Sequence, residues 1–213
     1  MKNYNIKFFL DNRSHNDLHL FLQNTKNSDL SLTEFSEFDA DLHCKIIDII
    51  ITIGGDGIIL KAASFFSNRT TPPMITFEKE IHGFLQNFKI GEIGTALPRI
   101  FNRMFNGLDT FVERRMRLHA KIVKKHASGK DEDILSFSAL NEIIVDRGPS
   151  PMCVKSEIYL NNNLITTNFG DGLIISSPTG STAYAISASG PIIHNYVKTN
   201  FKVFFQFKDR LDL

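Results

Sequence analysis

The segment Ile46–Ile53 (IIDIIITI) constrains the fold most, because it is a short apolar run rich in β-branched residues that stops abruptly at Gly54-Gly55. Such a run is typical of a buried strand. The residues that follow, Ile58–Phe66, fit a helix. Its expected core positions are Leu60, Ala63 and Phe66. A strand that leads through a glycine turn into a helix is typical of an α/β fold.

The other segments of the first half repeat this alternation. Asn5–Leu10 reads as a buried strand followed by a loop at Asp11–Arg13, and Asp17–Gln23 reads as a short helix. Met74–Phe77 reads as a strand after the Pro72-Pro73 break. Strands that alternate with helices predict a parallel sheet covered by helices. We therefore expect an α/β domain over residues 1–107.

The pattern changes near Gly107. Thr110–Lys125 alternates apolar and polar residues for most of its length, which is the period of a half-exposed antiparallel strand. Further strands are expected at Ser138–Val145, Lys155–Leu160, Leu164–Thr167 and Leu173–Ile175, with polar turns at His126–Asp133 and Asn161–Asn163. Residues 108–213 therefore read as a second, mostly β domain.

The composition excludes several classes of protein. Apolar residues make up 42% of the chain and charged residues 22%, as in an ordinary folded protein. The net charge is only +1, whereas a protein that grips nucleic acid through its phosphates carries a basic excess. The two cysteines stand far apart, which fits a reducing compartment, and no apolar run is long enough to span a bilayer. We expect a cytoplasmic protein without nucleic-acid or membrane partners.

Two groups of charged side chains are not assigned to a site. The seven histidines are scattered without ligand spacing, and the sequence therefore predicts no metal ligands. Arg114-Arg115-Met116-Arg117 is a charge run in the predicted Thr110–Lys125 strand, and we expect it to form a solvated face rather than a phosphate site.

Gly54-Gly55-Asp56-Gly57 is the first segment whose residues suit a chemical role. It lies between the predicted strand and helix, where glycines let the backbone approach a bound group and a helix start offers free N–H groups to an anion. Asp56 in this turn can accept a proton or hold a hydroxyl. The same residues also fit a plain strand-to-helix turn with Asp56 as a cap. Walker-type and GxGxxG phosphate loops do not occur in the sequence.

Two later segments place polar side chains where they need partners. Asn141-Glu142 lies inside an apolar run (ALNEIIV), where an unpaired polar group would cost about 1–3 kcal/mol. The pair suits the hydroxyls of a ribose, or its register places one residue outside. Gly170–Tyr184 (GDGLIISSPTGSTAY) gathers five hydroxyls and a tyrosine, which suit a base edge or a phosphate, or form a plain serine-rich loop. The small residues at 185–190 predict a closely packed helix after it.

Together these segments resemble the NAD kinase family. The string GDGLIISSPTGSTAY resembles the family signature of GDG, a short strand and TPTGSTAY, and LNEIIVDRGPSP resembles its Asn-Glu segment in the form seen in eukaryotic members. GGDG resembles its first motif, while Pro72–Phe77 and Gly83-Phe84-Leu85 resemble its third-strand and GFL segments. The order and approximate spacing match over most of Ile46–His194. Diacylglycerol-type lipid kinases and phosphofructokinases share GGDG but not these four ordered segments.

The resemblance implies an ATP-dependent phosphorylation of the adenosine 2′-hydroxyl of NAD, by an α/β domain followed by an all-β sandwich domain. It places Asp56 near that hydroxyl, as general base or orienter. The residues expected to bind substrate or nucleotide are Gly54, Gly55, Gly57, Asn141, Glu142, Asp171, Thr179, Thr182, Ala183, Tyr184 and Ser187.

Each part of this predicted site has its own task. Asn141 and Glu142 would hold the substrate ribose, and residues 179–184 would surround the adenine. Ser187 would lie near the nucleotide, and Asp171 would face the nicotinamide end, in many members across a subunit contact. The family generally needs Mg²⁺ with ATP, and its members form dimers or tetramers through the β domain.

The chain departs from the family pattern at several places. Ile58 stands where members usually have Thr, and the charged stretch Glu78–His82 replaces a small, glycine-containing one. Ser177 replaces Thr and Ser189 replaces a frequent Gly, and both changes look tolerable. After His194 the family pattern stops, although alternation at 201–207 predicts one more strand, and we expect a β domain that is incomplete at its C-terminus. The alternatives are a catalytically impaired nucleotide-binding paralogue, a truncated gene product, or a GGDG-type lipid kinase.

Overall fold

The structure is a computed structural model that describes residues 6–24, 35–79, 83–125, 131–197 and 203–207. The chain forms two compact units, Met1–Ile50 and Ile51–Leu213, which are described separately. Within the described residues no helix is long and apolar enough to cross a membrane.

The first unit pairs two short parallel strands. Its elements are β1 (Phe8–Leu10), α1 (Asn12–Asn24), β2 (Phe35–Glu37) and α2 (Ala40–His43). β1 and β2 pair in parallel with Phe8 opposite Phe35, as expected for an α/β arrangement. The strand predicted at Asn5–Leu10 is confirmed over Phe8–Leu10, and Asn5 lies outside the described residues.

The loop predicted at Asp11–Arg13 is wrong, because α1 begins directly at Asn12. The carboxylate of Asp11 accepts the backbone N–H of Ser14 at 2.7 Å, which satisfies a free donor at the start of the helix. The helix predicted at Asp17–Gln23 is therefore present but begins earlier than the apolar spacing indicated.

The second unit opens with the strand and helix that flank GGDG. Its first elements are β3 (Ile50–Ile53), α3 (Asp56–Ser64), β4 (Met74–Glu78), β5 (Phe88–Lys89), a short 3-10 helix (Ile90–Glu92) and α4 (Ile93–Phe105). The sheet order is β3-β4-β5, with β4 and β5 parallel. The core here contains Ile59, Ala63, Phe66, Ile75, Phe77, Leu85 and Ala96. Ala63 and Phe66 are buried as predicted, whereas Leu60 is only half-buried and Ile59 takes its place.

The buried strand predicted at Ile46–Ile53 is wrong in length and in burial. Only Ile50–Ile53 is a strand, and in it Thr52 is buried while Ile51 and Ile53 are exposed. Successive side chains of a strand point to opposite faces. One face of β3 is therefore covered by the described residues, and the other is not.

The rest of the second unit is antiparallel. Its strands are β6 (Leu118–Lys125), β7 (Asp131–Ala139), β8 (Glu142–Asp146), β9 (Val154–Leu160), β10 (Asn163–Gly170), β11 (Gly172–Ser176) and β12 (Val203–Phe207). β6 pairs with β7, β8 pairs with β11, and β9 lies between β10 and β12. The predicted change from an α/β half to a β-rich half is confirmed, while the boundary at Gly107 stays a prediction.

Two sequence patterns in this half have unexpected ends. Thr110–Lys125 is a strand only from Leu118. The turn predicted at His126–Asp133 is shorter, because β7 already begins at Asp131, and residues 126–130 lie outside the described part. Of the strand predicted by alternation at 201–207, Val203–Phe207 is confirmed and 201–202 are not described.

The hairpin between β9 and β10 turns on two asparagines. Asn161 and Asn162 have positive φ angles of 49° and 68°, while Asn163 already pairs with Leu160. Two successive residues with positive φ make the tight turn whose twist matches the flanking strands, and asparagine tolerates this conformation better than most residues. The predicted Asn161–Asn163 turn is confirmed, with two central residues instead of three.

Candidate functional site

The GGDG turn is built tightly at its first glycine and openly at the others. Gly54 has φ +144°, and its N–H donates to the carbonyl of Phe77 at 2.8 Å. A Cβ on Gly54 would lie 2.9 Å from Cγ1 of Ile58. A Cβ on Gly55 or Gly57 would meet no atom of the described residues within 4 Å. The fold gives no steric reason for glycine at these two positions, and this favours a group from outside the chain that approaches the turn closely.

Asp56 is the first residue of α3, and its carboxylate is held by the backbone of the next loop. Oδ2 accepts the N–H of Phe84 at 3.0 Å, and Oδ1 accepts the N–H of Leu85 at 3.1 Å. A Cβ on Gly83 would overlap Oδ1. Only glycine allows this close approach. The GFL segment at 83–85 thus forms a bed for the Asp56 carboxylate.

Side chains on either side of this bed hold it in place. Gln86 Nε2 donates to the carbonyl of Gly54 at 3.2 Å. The buried hydroxyl of Thr76 donates to the carbonyl of Leu85 at 3.1 Å, and accepts the N–H of Asn87 at 2.9 Å. The end of β4, the GGDG turn and the 83–87 segment therefore form one hydrogen-bonded cluster around Asp56.

A second cluster forms where the predicted strand Ser138–Val145 is interrupted. The strand is two strands, because β7 ends at Ala139 and β8 begins at Glu142, and the prediction of one continuous strand is wrong. The carbonyl of Asn141 accepts the N–H of Ser177 at 2.8 Å, and Ser177 Oγ donates to the carbonyl of Leu140 at 2.5 Å. Backbone groups that would continue a ladder instead bind the segment after β11.

Gly180 packs directly on this break. A Cβ there would overlap the carbonyl of Asn141, and the N–H of Gly180 donates to Ser177 Oγ at 3.1 Å. Ser177 is fully buried and uses its hydroxyl as both donor and acceptor. Serine in place of threonine keeps this hydroxyl, which agrees with the expectation that the replacement is tolerable.

The side chains of Asn141 and Glu142 end in buried acceptors that have no partner. Asn141 Oδ1 and Glu142 Oε2 are inaccessible to solvent and make no hydrogen bond with the described residues. Glu142 accepts the backbone N–H of Tyr184, which lowers its pKa, but desolvation by burial has the larger effect and raises the pKa above the ordinary 4.5. An unpaired buried acceptor costs about 1–3 kcal/mol. Two of them side by side on adjacent residues favour a ligand that supplies donors, such as the hydroxyls of a sugar.

The serine- and threonine-rich segment forms a 3-10 helix (Thr179–Thr182) after β11. Ser181 is buried, and its hydroxyl donates to the carbonyl of Pro178 at 2.7 Å and accepts the N–H of Ile193 at 2.9 Å. Its role is thus to hold the turn. Thr179 is also buried, while Thr182 and Ala183 are half-buried. Tyr184 is 52% exposed, which leaves room for a base to stack on its ring.

The closely packed helix predicted after this turn is wrong. The helix α5 (Tyr184–Ser187) has four residues, and Ser187 to Ser189 are exposed. Ser189 has φ +61°, a conformation that favours glycine and that costs other residues about 1–2 kcal/mol. The chain therefore keeps at this position the backbone of the glycine that is frequent in the family, and serine carries the strain.

Asp171 lies apart from the orphaned acceptors. Its side chain is 82% exposed and pairs with Arg147, whose Nε lies 2.7 Å from Asp171 Oδ1. The backbone repeats the link, because the N–H of Arg147 donates to the carbonyl of Asp171 at 3.0 Å. A Cβ on the next residue, Gly172, would overlap the carbonyl of Val145, which explains a glycine there.

The structure thus gathers the predicted residues into two clusters. Asp56 with its three glycines forms one, and Asn141, Glu142 and residues 179–184 form the other. No hydrogen bond between described residues joins the two clusters. Ser187 and Asp171 lie at exposed positions near the second cluster's chain segment. The roles assigned to all these residues stay predictions.

The predicted solvated face at Arg114–Arg117 is wrong for two of its arginines. Arg117 donates to the carbonyls of Phe66 at 2.8 Å and Arg69 at 2.6 Å, just beyond the C-terminal end of α3. Arg115 approaches the hydroxyl of Thr179. Only Arg114 is exposed without a described partner. The sequence signal that could have distinguished them is spacing, because 115 and 117 fall on the same face of an extended segment.

The replaced residues of the predicted phosphate side are partly described. Ile58 is 43% exposed and its side chain lies against Gly54. Of the charged stretch Glu78–His82, residues 80–82 lie outside the described part, and Glu78 ends β4.

Comparison with known proteins gives two family matches. The model of the ATP-NAD kinase N-terminal domain matches residues 12–105, and that of the ATP-NAD kinase C-terminal domain matches residues 140–203. Among curated proteins, the chain is 40% identical over 169 residues to the mitochondrial NADH kinase of Schizosaccharomyces pombe, covering 79% of this chain and 40% of the relative. It is 35% identical over 178 residues to the NAD kinase of a Thermoanaerobacter species, covering 84% and 59%. The chain thus spans about half, or less, of the length of these relatives.

A solved structure shows the same fold. The chain superposes on the crystal structure of yeast NADH kinase complexed with NADH with a TM-score of 0.71. The match covers 94% of this chain and 60% of that one, at 24% sequence identity. The α/β half and the β-rich half of this chain therefore correspond to an architecture that is already known.

Proposed function

Because the chain belongs to the NAD kinase family, we propose that it transfers the γ-phosphoryl group of ATP to the 2′-hydroxyl of the adenosine ribose of NAD, giving NADP. The observation that carries this proposal is the pair of buried, unpartnered acceptors on Asn141 and Glu142. A ribose offers two neighbouring hydroxyl donors, which would satisfy both atoms at once.

The remaining contacts of the nucleotide follow from the same cluster. Thr179, Thr182, Ala183 and Tyr184 would surround the adenine, with the exposed ring of Tyr184 as a stacking face. Ser187 would lie near the nucleotide, and Asp171 would face the nicotinamide end from its exposed position. The open backbone at Gly55 and Gly57 and the free N–H groups at the start of α3 suit phosphate oxygens.

Asp56 is the carboxylate we assign to the reacting hydroxyl. In the transfer, the 2′-oxygen forms a bond to the γ-phosphorus, the bond from that phosphorus to ADP breaks, and the hydroxyl proton passes to the base. A general base contributes roughly 10²- to 10⁴-fold to such a rate. Most of the remaining catalysis of phosphoryl transfer comes from positioning and charge neutralisation. The two N–H groups on the Asp56 carboxylate fix its orientation, which suits an orienting role as well.

Mg²⁺ would enter with ATP rather than occupy a site made by the protein alone. Among the described residues there is no group of three or more His, Cys, Asp or Glu side chains that could hold a metal ion. Mg²⁺ commonly binds through one or two carboxylates together with substrate phosphates. Asp56, beside the open glycine turn, is the carboxylate that fits this pattern. When bound, the metal would neutralise charge on the phosphates.

Two further features belong to this proposal. We assign a dimer or tetramer formed through the β-rich half, and size-exclusion chromatography with light scattering measures it. We also assign the cytoplasm as the compartment. The Schizosaccharomyces pombe relative is named as mitochondrial, so fractionation of cells that express the tagged protein separates the two locations.

The test of the proposed function is a direct assay. Purified protein is incubated with NAD, ATP and Mg²⁺, and NADP is measured with an NADP-dependent dehydrogenase. NADH is tested in parallel, because one relative is named an NADH kinase. Asp56→Asn should lower turnover by about 10²- to 10⁴-fold, whereas Asp48→Asn, an exposed aspartate in the first unit, should not change it. Absence of product from folded wild-type protein would sink the proposal, and full turnover by Asp56→Asn would refute the role of Asp56.

A further inference from the structure

Four polar side chains from three separate segments form a ring around the hydroxyl of Thr179. Glu113 Oε2 pairs with Arg115 Nη2 at 3.1 Å, and Asn195 Nδ2 donates to Glu113 Oε1 at 3.2 Å. Arg115 Nη1 and Asn195 Oδ1 each lie 3.5 Å from Thr179 Oγ1. These last two contacts are at the long limit of a hydrogen bond. The ring therefore orients the hydroxyl more than it stabilises the fold.

The direction of every hydrogen bond in the ring follows from Glu113. An ionised carboxylate only accepts, so Asn195 turns its NH₂ group to Glu113 and its carbonyl oxygen to Thr179. This contact decides the amide orientation, which could otherwise be flipped. The carbonyl of Asn195 then accepts the hydroxyl proton of Thr179. Arg115, which can only donate, takes one lone pair of the same oxygen.

One acceptor position of the Thr179 hydroxyl remains after this accounting. A hydroxyl has one donor and two acceptor positions, and the ring uses the donor and one acceptor. Thr179 is only 6% exposed, so its oxygen can be approached from a narrow direction. A ligand group that reaches it must therefore be a hydrogen-bond donor.

We propose that Asn195 and Arg115 are positioning residues that hold the Thr179 hydroxyl as an acceptor, and thereby select a nucleotide whose base carries an exocyclic amino group. The proposal rests on the proposed function only in placing adenine beside Thr179. Adenine presents an amino donor at its six-position. Hypoxanthine carries a carbonyl oxygen at that position, which would face the acceptor of Thr179 and find no donor.

The surrounding chain offers a way to separate positioning from simple structural support. If Asn195 is removed, the hydroxyl of Thr179 is free to turn and donate. The expected signature is a gain of affinity for the hypoxanthine analogue together with a loss for the adenine form. A loss of fold or of packing would weaken both ligands alike.

The experiment measures dissociation constants by titration calorimetry for NAD and for nicotinamide hypoxanthine dinucleotide, without ATP. Wild-type protein should prefer NAD by about 5- to 10-fold, the worth of one hydrogen bond. Asn195→Ala should bring the ratio close to 1, and Glu113→Ala should do the same, because the amide of Asn195 then loses its anchor. Arg115→Ala should lower the ratio by a smaller factor, since Asn195 still receives the hydroxyl proton. Asn68→Ala, an exposed asparagine without a described partner, should keep the wild-type ratio.

Each outcome decides the matter. A wild-type ratio of 1 overturns the proposal without any variant, as does an unchanged ratio in folded Asn195→Ala protein. Selective binding of NAD without formation of NADP would support the positioning role and refute the proposed reaction. Formation of NADP with no discrimination between the two bases would support the reaction and refute the positioning role.

Discussion

Gly83 packs so closely on the carboxylate of Asp56 that a Cβ atom on Gly83 would overlap Oδ1. The N–H groups of the next two residues, Phe84 and Leu85, donate to that carboxylate at 3.0 and 3.1 Å. The GFL segment and the GGDG turn are therefore a single structural unit, although 25 residues lie between Gly57 and Gly83.

Gly83→Ala should consequently damage the site without unfolding the protein. The new methyl group would push the Asp56 carboxylate off its two donors, and we expect turnover to fall by about tenfold or more, since small misplacements of reacting groups are costly. Kinetics of NADP formation measure the effect. Gly94→Ala in α4, where a Cβ meets nothing within 4 Å, is the control and should gain about 0.5–1 kcal/mol in stability. Equal activity of Gly83→Ala and wild type would contradict the link.

Glu142→Gln should separate binding from stability. The substitution removes the negative charge that a ribose hydroxyl would meet, and we expect NAD affinity to fall about tenfold or more, as for a hydrogen bond to a charged group. It also removes a carboxylate whose pKa burial raises, so the melting temperature should stay level or rise at neutral pH. Calorimetric titration and thermal melts measure the two quantities. A clear loss of stability with unchanged affinity would show that Glu142 serves the fold alone.

The raised pKa of Glu142 has a pH signature with a definite sign. The folded state holds this proton more tightly than the unfolded state, so the stability that Glu142 contributes is fully present below the ordinary 4.5 and is lost as the pH rises through the raised value. The stability advantage of Glu142→Gln over wild type should therefore shrink as the pH falls through that window. NAD affinity should weaken over the same window in wild type only. Chemical denaturation and titrations at several pH values test both trends, and parallel curves for the two proteins would refute them.

Ile58→Thr should raise activity at little structural cost. Ile58 is 43% exposed and lies over Gly54, so a smaller side chain there leaves no buried cavity. The introduced hydroxyl would stand at the start of α3 beside the presumed phosphate position, and we expect kcat/KM for ATP to rise about three- to tenfold, the worth of one modest hydrogen bond. Steady-state kinetics with varied ATP measure this. Ile58→Val, which lacks the hydroxyl, is the matched control, and an equal rise in both variants would assign the effect to bulk.

The sequence predicted the broad fold well because local patterns decide it. Alternation of strands and helices indicated the α/β half, and period-two alternation indicated the antiparallel half. It failed where a local signal competed with the tertiary one. Asp11 read as part of a loop but caps α1, and Ser138–Val145 read as one strand although the segment after β11 takes its hydrogen bonds at Asn141. Burial of Ile51 and Ile53 failed for a related reason, because cover for a face comes from elsewhere in the chain.

By itself, the sequence determined the family, through ordered segments from GGDG to Gly170–Tyr184, and with it the residues to be inspected. Only the tertiary structure decided what each one does there. It showed that Asp56 is bound by Phe84 and Leu85, that Glu142 keeps one oxygen without a partner, and that Thr179 belongs to a ring closed by Asn195. The physical reason is that a motif specifies which donors and acceptors exist, whereas their free valences depend on burial and on partners distant along the chain.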